Sequence, residues 1–186
     1  MKKILLITSF ITINYSVTAQ TAIDYTEYDT CNLLQQYAGD WLYTNGADTI
    51  KIYLKAHRGK YTQPTYIFDA LWGFIEYKHG NTIVVSDYAN RFITIPYIMK
   101  GWPVMYQTIW LRFRNCNINE SNLFGRLRYQ FAGIQLYNVK VTLSNNGTVM
   151  QWHQEFQQTD HNDLSIPWNR PTGANAMPMD FVLIKQ

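Results

Sequence analysis

The stretch Tyr137-Asn138-Val139-Lys140-Val141-Thr142-Leu143-Ser144-Asn145-Asn146-Gly147-Thr148-Val149-Met150-Gln151-Trp152-His153-Gln154-Glu155-Phe156 decides the fold class. Asn-Gly strongly favours a two-residue hairpin turn, because both central residues of that turn need positive φ. Setting Asn146-Gly147 as the turn pairs Asn145 with Thr148, and every later pair can be checked for polarity. Leu143 meets Met150, Val141 meets Trp152, Val139 meets Gln154 and Tyr137 meets Phe156. The alternate positions pair Thr142 with Gln151, Lys140 with His153 and Asn138 with Glu155. One register sorts both strands into an apolar and a polar face, and a slip of one residue destroys the sorting. These residues form an antiparallel pair with one face in a core and one in water.

Outward from the hairpin the same period of two recurs. In residues 49–56, Ile50, Ile52, Leu54 and Ala56 share one face, with Lys51, Tyr53 and Lys55 on the other. Asn45-Gly46 links this strand tightly to a first one around residues 41–44, and Arg58-Gly59-Lys60 is expected to end it. Residues 69–77 are apolar on both faces, Phe68, Ala70, Trp72 and Phe74 lying opposite Leu71 and Ile75. Gly73 in their midst suggests a bulge or a sharp bend. His79-Gly80-Asn81 turns the chain into a strand at 82–86, and further strands are expected at 109–114, 123–131 and 181–185. Pro96, Gly101 and Pro103 interrupt residues 87–107, and residues 157–178 are similarly irregular. One short helix is indicated, capped by Asp29 or Thr30, spaced by Leu33, Leu34 and Tyr37, and stopped by Gly39. About nine short strands and one short helix point to an all-β antiparallel barrel or sandwich.

Composition agrees. Aromatic residues make up 16% of 186 and charged residues another 16%, so the chain can bury a large core as one domain. Disordered, collagen-like and disulfide-dense classes are excluded. Residues 1–19 read as a signal peptide: Lys2 and Lys3 form a basic start, residues 4–13 an apolar run, and Val17-Thr18-Ala19 a cleavage site. The run is too short to span a bilayer, since Asn14, Tyr15 and Ser16 end it well before the ~20 apolar residues required. The mature chain is expected to start at Gln20, with residues 20–27 as an extension and 28–186 as the barrel domain, in the periplasm or medium. The net charge of +3 includes Lys2 and Lys3 and falls to +1 without them, which argues against nucleic-acid binding. Cys31 and Cys116 are the only cysteines, and export permits a bridge between them; two separate buried thiols remain the alternative.

Tyr37-Ala38-Gly39-Asp40-Trp41, after a helical turn and opening the first strand, resembles the Gly-x-Trp motif of lipocalin-like, or calycin, barrels. In that group the Trp packs across the closed barrel end beneath a basic residue from a late strand; Lys185 and Arg170 are the candidates here. Asp48-Thr49-Ile50-Lys51-Ile52 and the terminal Phe181-Val182-Leu183-Ile184-Lys185-Gln186 also resemble an uncharacterised family of small secreted Bacteroidota proteins. The resemblance implies a single antiparallel up-and-down lipocalin-like β-barrel of about nine strands with one short N-terminal helix. It implies a structural role for Gly39 and Trp41 at the barrel end. The Thr-Asp-Tyr patch of lipocalins has no counterpart, so an internal cavity and a solidly packed barrel both stay open.

Catalytic signatures are sparse. There is no Gly-x-Ser-x-Gly elbow, and Cys116 with His153 has no spacing that would make a thiol pair. None of His57, His79, His153 and His161 stands two or four residues from another, as a ready-made metal pair on one face would require. Asp160-His161-Asn162-Asp163 lacks the glycine and terminal glutamate of a calcium loop. The expectation is a protein that is not an enzyme and takes no cofactor or metal.

One arrangement is site-like. Arg112 and Arg114 share a strand face, as do Arg126 and Arg128. If residues 109–131 close as a hairpin near Glu120, Arg112 faces Arg128 and Arg114 faces Arg126. Directly opposed like charges are unfavourable, so either acids from neighbouring strands interleave or an anion binds; the alternative is an ordinary solvated outer face with Glu155 or Glu76 nearby. Two functions are thereby left open. One is a secreted module holding an apolar small molecule or a glycan among aromatic side chains. The other is a filled barrel that binds or inhibits a partner through its outer surface and holds no internal ligand.

Overall fold

The computed structural model describes residues 25–62, 65–95, 98–99, 109–113, 122–130, 134–156 and 176–186. In chain order its strands are β1 (Tyr25–Glu27), β2 (Gly39–Asn45), β3 (Asp48–Thr62), β4 (Thr65–His79), β5 (Thr82–Ser86), β6 (Ile98–Met99), β7 (Ile109–Arg112), β8 (Asn122–Gln130), β9 (Ile134–Ser144), β10 (Val149–Phe156) and β11 (Asp180–Lys185). Helix α1 (Leu33–Tyr37) precedes β2. Eight strands, β2, β3, β4, β7, β8, β9, β10 and β11, pair in succession and antiparallel, and β11 returns to β2 through Ile184 opposite Leu42 and Lys185 opposite Trp41. The result is a closed up-and-down β-barrel, the architecture that removes free sheet edges. β5 pairs with the end of β4, while β1 and β6 run parallel beside β4 and β3. Residues 25–27, within the expected N-terminal extension, thus join the sheet.

The β9–β10 register is the one that polarity selects: Leu143 opposite Met150, Val141 opposite Trp152, Val139 opposite Gln154 and Tyr137 opposite Phe156. Asn146 and Gly147 both take positive φ, and the Thr148 amide donates to the Asn145 carbonyl at 3.2 Å. Two expectations are corrected. β3 does not end at Arg58-Gly59-Lys60 but runs to Thr62, because Arg58 is tied across the sheet to Asp69 of β4 and pairing continues beyond them. Gly73 is not at a bulge; the β3–β4 register is continuous through it. A Cβ there would lie 2.6 Å from Ile109 Cβ and 2.7 Å from Leu54 Cδ2, so the glycine lets neighbouring strands close inside the barrel. The bulge in this region lies further on, between Tyr77 and Lys78 opposite β5.

All eight barrel strands send buried side chains into one cluster, among them Trp41, Ile52, Leu71, Ile109, Leu127, Val141, Trp152 and Leu183. Both ends are stoppered. At one end α1 adds Leu33, Leu34 and Tyr37 to the cluster, and the Tyr37 hydroxyl reaches the Val141 carbonyl at 3.4 Å. Asp29, not Thr30, caps this helix, its carboxylate accepting the Leu33 and Leu34 amides at 2.9 and 2.7 Å. At the other end Met177 is buried, Gln154 donates to the Pro178 carbonyl at 2.8 Å, and Tyr77 donates to Asp48 at 2.9 Å. The second apolar face of β4 has its own cover: Phe68, Ala70, Trp72 and Ile95 form a smaller cluster outside the barrel, with Trp110 packed against it.

Candidate functional site

The arginine-bearing strands are β7 and β8, and their register differs from the expected one by four residues. Arg112 stands opposite Phe124 rather than Arg128, and Arg126 stands opposite Trp110. Arg114, Arg126's expected partner, lies outside the described residues. The physical reason is charge: the observed register sets each cation across from an aromatic ring, where the expected one opposes like charges. A slip by an even number of residues preserves the faces, so Leu111 and Leu127 still point into the core.

On the outer face cations and rings therefore alternate. Arg112 lies over the Trp110 ring at 4.4 Å, and Lys140 of β9, opposite Phe124, is 5.9 Å from that ring's centre. Arg126 is exposed and Arg128 half-buried. The acid that interleaves is Glu27 of β1, 3.7 Å from Arg112. Neither expected acid does so: Glu76 lies 3.3 Å from both Lys51 and Lys78, and Glu155 pairs with His153.

The row Arg112, Phe124, Lys140 continues through His153 of β10 to Asp180 of β11. Beside it an open depression of about 440 Å³ is lined by Lys140, Thr142, Gln151, His153, Asp180 and Val182, among others. His153 Nδ1 is 2.6 Å from Asp180 and Nε2 is 3.2 Å from Glu155. With a carboxylate at each ring nitrogen, the imidazolium donates twice. The hydrogen bonds from Asp180 and then Glu155 hold its pKa above the ordinary histidine range.

At the α1 end, Trp41 is buried and its Nε1–H donates to the Tyr37 carbonyl at 2.8 Å. Lys185 Nζ sits 5.3 Å from the Trp41 ring centre and donates to the Gln36 carbonyl at 2.9 Å. Of the two basic candidates Lys185 covers the ring; Arg170 lies outside the described residues. Gly39 has φ of 122°, and a Cβ there would approach Lys185 Cε to 3.3 Å. Cys31 is disulfide-bonded, and Cys116, the only other cysteine, lies outside the described residues. A second depression, about 300 Å³, is floored by Arg58 and Asp69, joined at 2.7 and 2.8 Å.

Sequence reasoning found the arginines but not their setting. Glu27 falls in a segment with no strand signal, and the roles of Trp110, Phe124 and Lys140 depend on register. The spacings Trp110-x-Arg112 and Phe124-x-Arg126 were the available cue.

A model of a Family of unknown function (DUF6705) matches residues 1–186 of the chain. No curated protein and no solved structure matches it.

Proposed function

The chain belongs to the DUF6705 family, and from that premise we propose a secreted or periplasmic, non-enzymatic protein: a filled β-barrel that binds a partner through its outer surface. The carrying observation is the interior. Tyr37, Trp41, Tyr77 and Trp152 are each at most 1% exposed, lie in one cluster with side chains from all eight barrel strands, and are stoppered by α1 and Met177. Side chains that fill a narrow barrel in this way occupy the volume a lipocalin gives to its ligand.

A non-enzymatic role is supported by the described histidines, each of which is engaged by neighbouring side chains of the fold. His79 pairs with Asp48 at 2.8 Å, His153 with Asp180 and Glu155, and His57 packs edge-on against Trp72 at 5.6 Å. Export rests on residues 1–19; no described helix is long and apolar enough to cross a membrane.

Native mass spectrometry of the exported protein tests the reading. The expected spectrum is a single unliganded species whose mass starts at Gln20. A stoichiometric apolar ligand released on denaturation would establish the alternative, a ligand-holding barrel. A mass retaining Lys2 and Lys3 would refute the export assignment.

A further inference from the structure

We propose that the outer face of β7 to β11 binds an acidic glycan, its anionic groups on the arginine–lysine patch and its hydroxyls in the adjoining depression. This rests on the surface-acting reading above and names the partner's class.

The first argument is preorganised charge. Arg112 is held over Trp110 and steadied by Glu27, and Lys140 leans toward Phe124. Rings and a carboxylate that already position these cations lower the ordering cost of binding. Arg112 and Lys140 flank Phe124 in one row, two strand spacings or about 9.6 Å apart. Arg126 lies one strand pair from Trp110 in the neighbouring row. Anionic groups repeated along a chain can meet several cations in succession.

The second argument is the depression beyond Lys140. Its lining offers an ammonium, a hydroxyl, an amide, an imidazole and a carboxylate, from Lys140, Thr142, Gln151, His153 and Asp180. Such groups can both donate to and accept from sugar hydroxyls. Charge is also unevenly distributed along the site, with a cation at the Lys140 end and carboxylates at the His153 end. Asp180 and Glu155 repel an anion at the His153 end, so the ligand's charge belongs at the Lys140 end and its neutral hydroxyls beyond.

Two other polyanion classes fit less well. Extended peptides typically add to a free sheet edge, whereas β8, β9 and β10 are each paired on both sides. Nucleic acid depends on a broad positive field, and the whole chain carries only +3.

The test is calorimetric titration of the mature protein at fixed ionic strength with trigalacturonate, maltotriose, hexaglutamate and a short DNA duplex. Trigalacturonate is expected to bind, and Arg126→Gln combined with Lys140→Gln to weaken it at least about tenfold. Gln151→Ala is expected to weaken trigalacturonate while leaving any residual hexaglutamate binding unchanged. Maltotriose binding as tightly as trigalacturonate would remove the role of the cations. Hexaglutamate or DNA binding as tightly would replace the glycan with that class. A folded protein that binds none of the four overturns the proposal while leaving the filled barrel intact, since only a co-purified internal ligand removes that.

Discussion

At Trp41, burial, a hydrogen bond to the Tyr37 carbonyl and a covering Lys185 coincide on one side chain. Truncation to alanine removes a large aromatic from a closed end that cannot readily collapse. Trp41→Ala is expected to lower stability by about 3–5 kcal/mol, read from denaturant midpoints. Lys185→Met keeps the aliphatic cover and loses the charge, so about 1 kcal/mol is expected. Equal midpoints for wild type and Trp41→Ala would dismiss the barrel-end role. Asp69 answers to pH instead. Burial pushes its carboxyl up, but hydrogen bonds from Arg58 and the Asp29 amide, with the nearby positive charges of Arg58 and His57, together bring it below its ordinary 3.8. A depressed folded-state pKa gives stability that is present above the unfolded value and lost as pH falls through the folded one. Asp69→Asn should therefore flatten the acid limb of the stability curve below about pH 4. At neutral pH it should cost roughly 1–2 kcal/mol, modest because Arg58 stays half in water. His153 has the opposite sign: its raised pKa gives stability that is full below 6.5 and lost as pH rises through the folded value. Its ring-proton NMR titration should have a midpoint above 6.5, and Asp180→Asn should lower it.

Among the elements, the β9–β10 and β7–β8 pairs show what a sequence encodes locally. The first carries a turn dipeptide, and any one-residue slip would bury either Lys140 or Glu155, so turn and polarity select one register. The second has no comparable turn dipeptide at Glu120, and a slip by an even number of residues, here four, leaves every side chain on its own face. Polarity cannot distinguish such registers; the decision falls to cross-strand pairs, where Arg112 prefers Phe124 to Arg128. This is why the barrel and its inward residues were legible while the site's composition was not. The apolar outer face of β4 was equally visible, but its cover by Ile95 and Trp110 is tertiary. Gly125 on β8 yields a sharp expectation, since a Cβ there would fall 1.8 Å from the Trp110 carbonyl oxygen. Gly125→Ala must push β7 and β8 apart, at a cost at the upper end of the usual 1–3 kcal/mol for overpacking, or about 3 kcal/mol. An unchanged midpoint would mean the two strands do not approach so closely. For Cys31 we propose Cys116 as partner. Peptide mapping without reduction should recover the two in one linked fragment, and two singly alkylated cysteines would reject the bridge.

For the molecule as a whole, the small net charge makes ionic strength a selective probe. A chain near neutrality has little general self-repulsion to screen, so a salt response must come from local clusters. Two kinds are present with opposite signs. Pairs such as Lys51–Glu76 and Arg58–Asp69 weaken slightly as salt rises, while crowding among Arg112, Arg126, Arg128 and Lys140 is relieved. Cations one to two strand spacings apart, about 5–10 Å, lie within the ~10 Å screening length at 0.1 M, so only part of their repulsion is removed. A few tenths of a kcal/mol translates into a melting shift of about 1 °C for a domain of this size. The opposing contribution of the ion pairs obscures so small an effect in wild type alone. It cancels in the difference between wild type and the Arg126→Gln, Lys140→Gln protein, which keeps every one of those pairs. Across a chloride series the wild type should gain about 1 °C relative to this variant, with the two converging toward high salt. If their difference stays flat across the series, the outer-face cations do not repel one another, and the crowding that makes this face receptive to an anion is absent.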